Sequence, residues 1–119
     1  MKKNIKLPRV LCVDDEVRVL HSIERSLRDK LDLTLVASAA EALTTLRESP
    51  EPFEVIVSDM RMPDMNGINL LTQVRREFPD IVRMLLTGHG DLEIVVRAVN
   101  EGNIFRHCYE QCRKLDLFF

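Results

Sequence analysis

The chain has 119 residues, 45% of them hydrophobic and 30% charged, with a formal net charge of −2 at pH 7. That is enough for a single domain spanning residues 1–119, burying roughly two thirds of its unfolded surface, and the balance excludes a mainly disordered chain. The near-neutral charge leaves no electrostatic footprint for nucleic acid, and no apolar run approaches the roughly 20 residues that cross a bilayer. The basic opening Met1-Lys2-Lys3 lacks the apolar segment of a secretory signal. Three cysteines, with Cys12 inside an apolar run, fit free thiols in a reducing cytoplasm.

From the amino terminus, Val10-Leu11-Cys12-Val13 is short, apolar and β-branched, as expected of a strand buried on both faces. Val17, Leu20, Ile23 and Leu27 then recur at helical spacing, and Leu33 to Ala37 reads as a second strand. Ser38 is placed to cap the next helix, with Glu41 three residues on in the capping-box position. That helix runs through Ala42, Leu43 and Leu46 until Pro50 and Pro52 stop it. Val55 to Ser58 is the third strand, and a loop from Asp59 leads to Gly67. Met60, Met62 and Met65 in that loop read as packing residues rather than soft-metal ligands. The following helix carries Leu70, Leu71, Val74 and Phe78 on one face and ends at Pro79. Ile81 to Leu86 is the fourth strand, and Thr87-Gly88-His89-Gly90 is a turn. Asp91 caps a fourth helix that closes at Gly102, and Ile104-Phe105-Arg106 is a short fifth strand. Alternating strands and helices predict an α/β fold, a parallel sheet with helices on both faces. A fifth helix should cover one face, yet Tyr109 to Leu115 carries only a weak apolar stripe. Any helix there is short, and the tail 107–119 is atypical.

Chemistry concentrates at the strand ends. Asp14 and Asp15 close the first strand, and Asp59 closes the third, 44 residues after Asp15. In an open parallel sheet, ligands bind beyond the carboxyl ends of the strands. Neighbouring strands would bring the three carboxylates into one crevice, where their repulsion favours protonation or a hard divalent cation. Oxygen-only ligation selects Mg²⁺ or Mn²⁺ over zinc, and such a site suits phosphate chemistry.

Three segments in order, Val13-Asp14-Asp15-Glu16, Ser58-Asp59-Met60-Arg61-Met62-Pro63-Asp64-Met65-Asn66-Gly67 and Leu86-Thr87-Gly88-His89, resemble the receiver domain of two-component response regulators, the CheY-like family. The resemblance covers nearly the whole chain. It implies a flavodoxin-like sheet of five strands in the order 2-1-3-4-5. It also implies a cytoplasmic signalling phosphoacceptor rather than an enzyme, with Asp59 taking a phosphoryl group from a sensor histidine kinase or a phosphotransfer protein. Asp15, Asp59 and the backbone carbonyl of Arg61 would hold Mg²⁺ or Mn²⁺, Asp14 would act through a bound water, and Thr87 would hydrogen-bond the phosphoryl oxygens. A dehalogenase-like aspartyl phosphatase is disfavoured, because the second aspartate it needs falls at Arg61.

The likeness breaks after Arg106. The family carries an aromatic switch residue and, three residues on, a lysine followed by proline. Here the aromatic position is His107, the lysine position falls at Tyr109 or Glu110, and no proline follows. Three explanations stand open: a tail altered by a frameshift, Lys114 swinging in as a substitute, or a degenerate pseudo-receiver that docks partners without efficient phosphorylation. A short fifth helix would also leave apolar surface uncovered, which predicts a homodimer through that face. No output domain is read in the sequence, so either a stand-alone regulator or the amino-terminal part of a longer protein is expected.

Overall fold

The computed structural model describes residues 7–87 and 106–109, with Thr87 and the last four residues described by their backbone. The elements follow the chain as β1 (Arg9–Val13), α1 (Val17–Leu27), β2 (Asp32–Val36), α2 (Ala39–Glu48), β3 (Val55–Asp59), α3 (Gly67–Glu77), β4 (Val82–Thr87) and β5 (Arg106–Tyr109). The five strands form one sheet in the order β2-β1-β3-β4-β5, and every pairing is parallel. The flavodoxin-like order expected from the sequence is therefore the order found. The chain steps from β1 outward to β2 and then back across β1 to β3, so the crossovers diverge between β1 and β3. That divergence opens the crevice at their carboxyl ends.

Alternation along each strand sorts the apolar residues into two cores. Leu11, Val13, Ile56 and Leu85 pack with Ala39, Ala42, Leu43 and Leu46 of α2 and with Leu70, Leu71 and Val74 of α3. Val10, Cys12, Val57, Met84 and Leu86 pack beneath Leu20, Ile23 and Leu27 of α1. Each such aliphatic side chain is worth about 1.5–3 kcal/mol when fully buried, so these stripes hold the helices to the sheet. The loop methionines pack as read from the sequence: Met60 is buried in the α2–α3 core, with Met62 and Met65 against it. A buried arginine was not foreseen. Arg83, 1% exposed on β4, donates from its guanidinium to the carbonyls of Ile81 (2.9 Å) and Pro79 (3.4 Å).

The helix ends follow local chemistry. Ser38 caps α2 by accepting from the Glu41 amide (3.1 Å), while the Glu41 carboxylate reaches the Ala37 amide (3.1 Å), one residue earlier than the usual capping box. Asn66 caps α3 by accepting from the Asn69 amide (2.8 Å). Phe78 lies just outside α3, with φ −137°, because the following proline disfavours helical backbone. It still packs, half-buried, against the α2–α3 core.

The fifth strand differs from expectation. The sequence suggested Ile104-Phe105-Arg106 with an atypical tail from His107, whereas β5 as described is Arg106–Tyr109. Pairing with β4 decides its position, with Met84 beside Arg106 and Thr87 beside Tyr109. His107 and Tyr109 are thus strand residues. The expected fourth helix (91–102), the turn beyond Thr87, Glu110, Lys114 and any fifth helix lie outside the described residues.

Candidate functional site

The site grows from the ends of β1 and β3. Val13 pairs with both Val36 and Ser58, so the residues that follow it emerge between β2 and β3. The Asp14 amide donates to the Val36 carbonyl (3.1 Å), and Asp14 Oδ1 accepts from the Glu16 amide (2.8 Å). This local turn directs the chain into α1, leaving Asp15 exposed at the bend. Asp59 is the last residue of β3, beside Leu86 of β4.

The three aspartates converge. Asp14, Asp15 and Asp59 each offer a carboxylate oxygen, and these oxygens all lie within 4.8 Å of one another. Asp14 is 3% exposed and Asp59 7% exposed, so two of the three charges sit largely away from water. Buried like charges at this spacing are unfavourable unless a cation or protons compensate them. Ligands about 2.1 Å from an octahedral Mg²⁺ lie about 3.0 Å apart when adjacent and about 4.2 Å when opposite, so the three oxygens would draw closer to share one ion. The donor set is all oxygen and fits a hard divalent cation. Its field is felt nearby: burial first, and the Asp14 charge second, push the Cys12 thiol up to about 12. That keeps Cys12 a protonated core residue rather than a nucleophile.

The loop from Met60 to Asn66 is tied at its neck. The Met60 amide donates to the Leu86 carbonyl (3.1 Å), and the Gly67 amide donates to the Met60 carbonyl (2.8 Å). The Ser58 hydroxyl donates to the Asp59 carbonyl (2.9 Å). Gly67 is required by close approach, since a Cβ there would overlap the Asp59 carbonyl and lie 2.6 Å from Leu85 Cδ1. Farther out, the Asp64 carboxylate accepts from the amides of Ala40 (3.0 Å) and Ala39 (3.4 Å), at the start of α2. These bonds, the Ala40 one foremost, hold its pKa below the ordinary carboxylate value.

Among the residues singled out from sequence, Asp14, Asp15 and Asp59 meet as expected. Arg61 lies in the loop two residues past β3, with an exposed side chain. Thr87 ends β4, one residue beyond the partner of Asp59, and Tyr109 ends β5 beside it. The supporting roles of Asp64, Asn66 and Gly67 were not read from sequence. The Asn-Gly pair just before an apolar helix was the available signal for the latter two. Asp64 carried none, because its partners are 24 and 25 residues away.

Residues 10–104 match the family described as the response regulator receiver domain. The chain is 37% identical over 102 residues to the hydrogenase transcriptional regulatory protein HoxA of Cupriavidus necator, covering 86% of this chain and 21% of that protein. It spans about a fifth of that relative's length. A crystal structure of adenylate cyclase from Rhodopirellula baltica superposes with a TM-score of 0.88 at 38% identity, over 93% of this chain and 82% of the other. A response regulator receiver domain protein from Clostridium thermocellum superposes with a TM-score of 0.86 at 30% identity, over 93% and 88%. The chain belongs to the response regulator receiver domain family, the signalling modules of two-component systems. No helix among the described residues is long and apolar enough to cross a membrane.

Proposed function

We propose that this receiver domain accepts a phosphoryl group on Asp59, with Mg²⁺ held by Asp15, Asp59 and the Arg61 backbone carbonyl, and by Asp14 through a water. The observation that carries this reading is the convergence of three carboxylate oxygens within 4.8 Å at the carboxyl ends of β1 and β3. Phosphoryl transfer asks a protein chiefly for positioning and charge neutralisation, so a well-placed carboxylate suffices as nucleophile. An Asp59 oxygen bonds to phosphorus as the P–N bond of the donor's phosphohistidine breaks, and the departing imidazole nitrogen keeps the electron pair and takes up a proton. When bound, Mg²⁺ neutralises charge on the phosphoryl oxygens. The ties from Ser58, Gly67 and Leu86 around Asp59 and Met60 hold the acceptor still. The Thr87 hydroxyl is assigned the added phosphoryl oxygens, and movement of that strand end is the switch.

The donor in this reading is a sensor histidine kinase or a phosphotransfer protein in the cytoplasm, and an output domain elsewhere in the full-length protein receives the signal. Self-association through the face meant for a fifth helix belongs to the same reading, and a monomer at high concentration by light scattering would remove it. The test of the acceptor site is a beryllofluoride titration with and without Mg²⁺. Tight, Mg²⁺-dependent binding is expected; no binding, or binding indifferent to Mg²⁺, overturns the reading.

A second reading is favoured by the composition of the chain at and just beyond β5. Tyr109 ends the strand beside Thr87, and Glu110 comes next, so neither candidate position supplies a lysine. A pseudo-receiver that docks partners but loads phosphate poorly fits that sequence.

A further inference from the structure

The corner between β2 and α2 touches both loops that build the acidic crevice. On one side, the Val36 carbonyl holds the Asp14 amide at 3.1 Å. On the other, the Ala39 and Ala40 amides hold the Asp64 carboxylate at 3.4 and 3.0 Å. Asp64 lies midway between the two fixed ends of its loop, the Met60 amide on Leu86 and the Gly67 amide on Met60. Between Asp64 and β3 stand only Arg61, Met62 and Pro63 after Met60, with Met62 packed on the α2–α3 core. The span bearing Arg61 is therefore pinned at the strand, at Met62 and at Asp64. A carboxylate suits the third pin, since it satisfies two amides at a helix start and gains from the helix dipole.

We infer that Asp64 is a positioning residue, which fixes the Arg61 carbonyl for the metal by tying its loop to the first turn of α2. The inference rests on the metal reading proposed for Asp59. Partners that orient ligands from behind typically change metal affinity by roughly ten-fold or more when removed.

The test compares Asp64→Ala with Ser38→Ala by calorimetric titration of Mg²⁺ and by thermal unfolding in EDTA. Ser38 also caps α2, through the Glu41 amide at 3.1 Å, yet its side-chain bond involves no residue of the 60–66 loop. Both variants are expected to lower the midpoint by a few degrees, the usual effect of losing a cap. Only Asp64→Ala is expected to weaken Mg²⁺ binding, by roughly ten-fold. Asp64→Asn, which keeps one acceptor oxygen, should recover part of that loss, and it serves in place of the alanine variant if that one unfolds. A wild-type chain that binds Mg²⁺ no better than its Asp64 variants overturns the inference alone. Equal weakening by Ser38→Ala overturns it too, since the effect would then belong to helix capping. A wild-type chain that binds no Mg²⁺ overturns the metal reading, and the inference falls with it.

Discussion

At the scale of single residues, the acidic crevice depends as much on what is missing as on what is present. The site needs the absent side chain of Gly67 as well as the carboxylates, because α3 begins directly against the Asp59 carbonyl. Gly67→Ala should therefore push α3 and β3 apart, destabilising the fold by about 1–3 kcal/mol. It should also weaken beryllofluoride binding, because the atom displaced belongs to Asp59, the residue proposed to accept the phosphoryl group. Urea unfolding and the ligand titration together check this; unchanged stability would show that the backbone yields without strain. The three aspartates were legible in the sequence because each ends an apolar run, and runs of that kind become parallel strands whose ends lie side by side. Asp64 was not legible, because its role exists only once α2 has folded beside the loop. An aspartate in a Pro-Asp turn looks the same whether it binds water or a helix start.

Among the elements, α2 and α3 are joined at the end remote from the crevice. Arg47 donates to Glu77 through Nε (2.8 Å) and Nη2 (2.6 Å), and Gln73 adds a bond to the same carboxylate (3.2 Å). The Arg47 bonds, and then the Gln73 bond, lower the Glu77 pKa to about 2 from an ordinary 4.5. A carboxylate whose pKa is lowered by folding stabilises the fold above its unfolded value and loses that contribution as pH falls through the folded one. The contribution is thus complete above pH 4.5 and gone near pH 2. The pair is largely solvated, so the effect is modest and fades with salt. Glu77→Gln should flatten the fall in thermal midpoint between pH 5 and roughly pH 2 at low ionic strength, and calorimetry across that range checks it. An unaltered slope would mean that other carboxylates carry the acid sensitivity. Strand placement was readable wherever apolar runs were continuous, as in β1 and β3. It slipped at β5, where Arg106-His107-Cys108-Tyr109 has no apolar pattern and the hydrogen-bond register with β4 sets the position. The same limit explains Phe78, whose apolar spacing continues the α3 stripe while Pro79 ends the helix before it.

Across the whole molecule, the two cores meet the sheet from opposite sides, and the crevice lies where the crossovers part. The order β2-β1-β3-β4-β5 puts Asp14 and Asp15 just past the end of β1 and Asp59 at the end of β3, three and two strands from β5. If Glu110 stands where the family's lysine belongs, Glu110→Lys replaces a repelling charge with one that pairs with a phosphoryl group. Acetyl-phosphate labelling should then rise by about ten-fold or more, as expected for a charge-assisted hydrogen bond gained. Equal labelling and equal switching in the two proteins would refute the idea that this position limits the reaction. The strand order has a further consequence. Within the described sheet, a change in β5 reaches the end of β3 only through β4, whereas it meets Thr87 directly at the neighbouring strand end. Under the proposed reading, substitutions within β5 would act first on Thr87, and so on readout, whereas a charge exchanged at position 110 would act on loading.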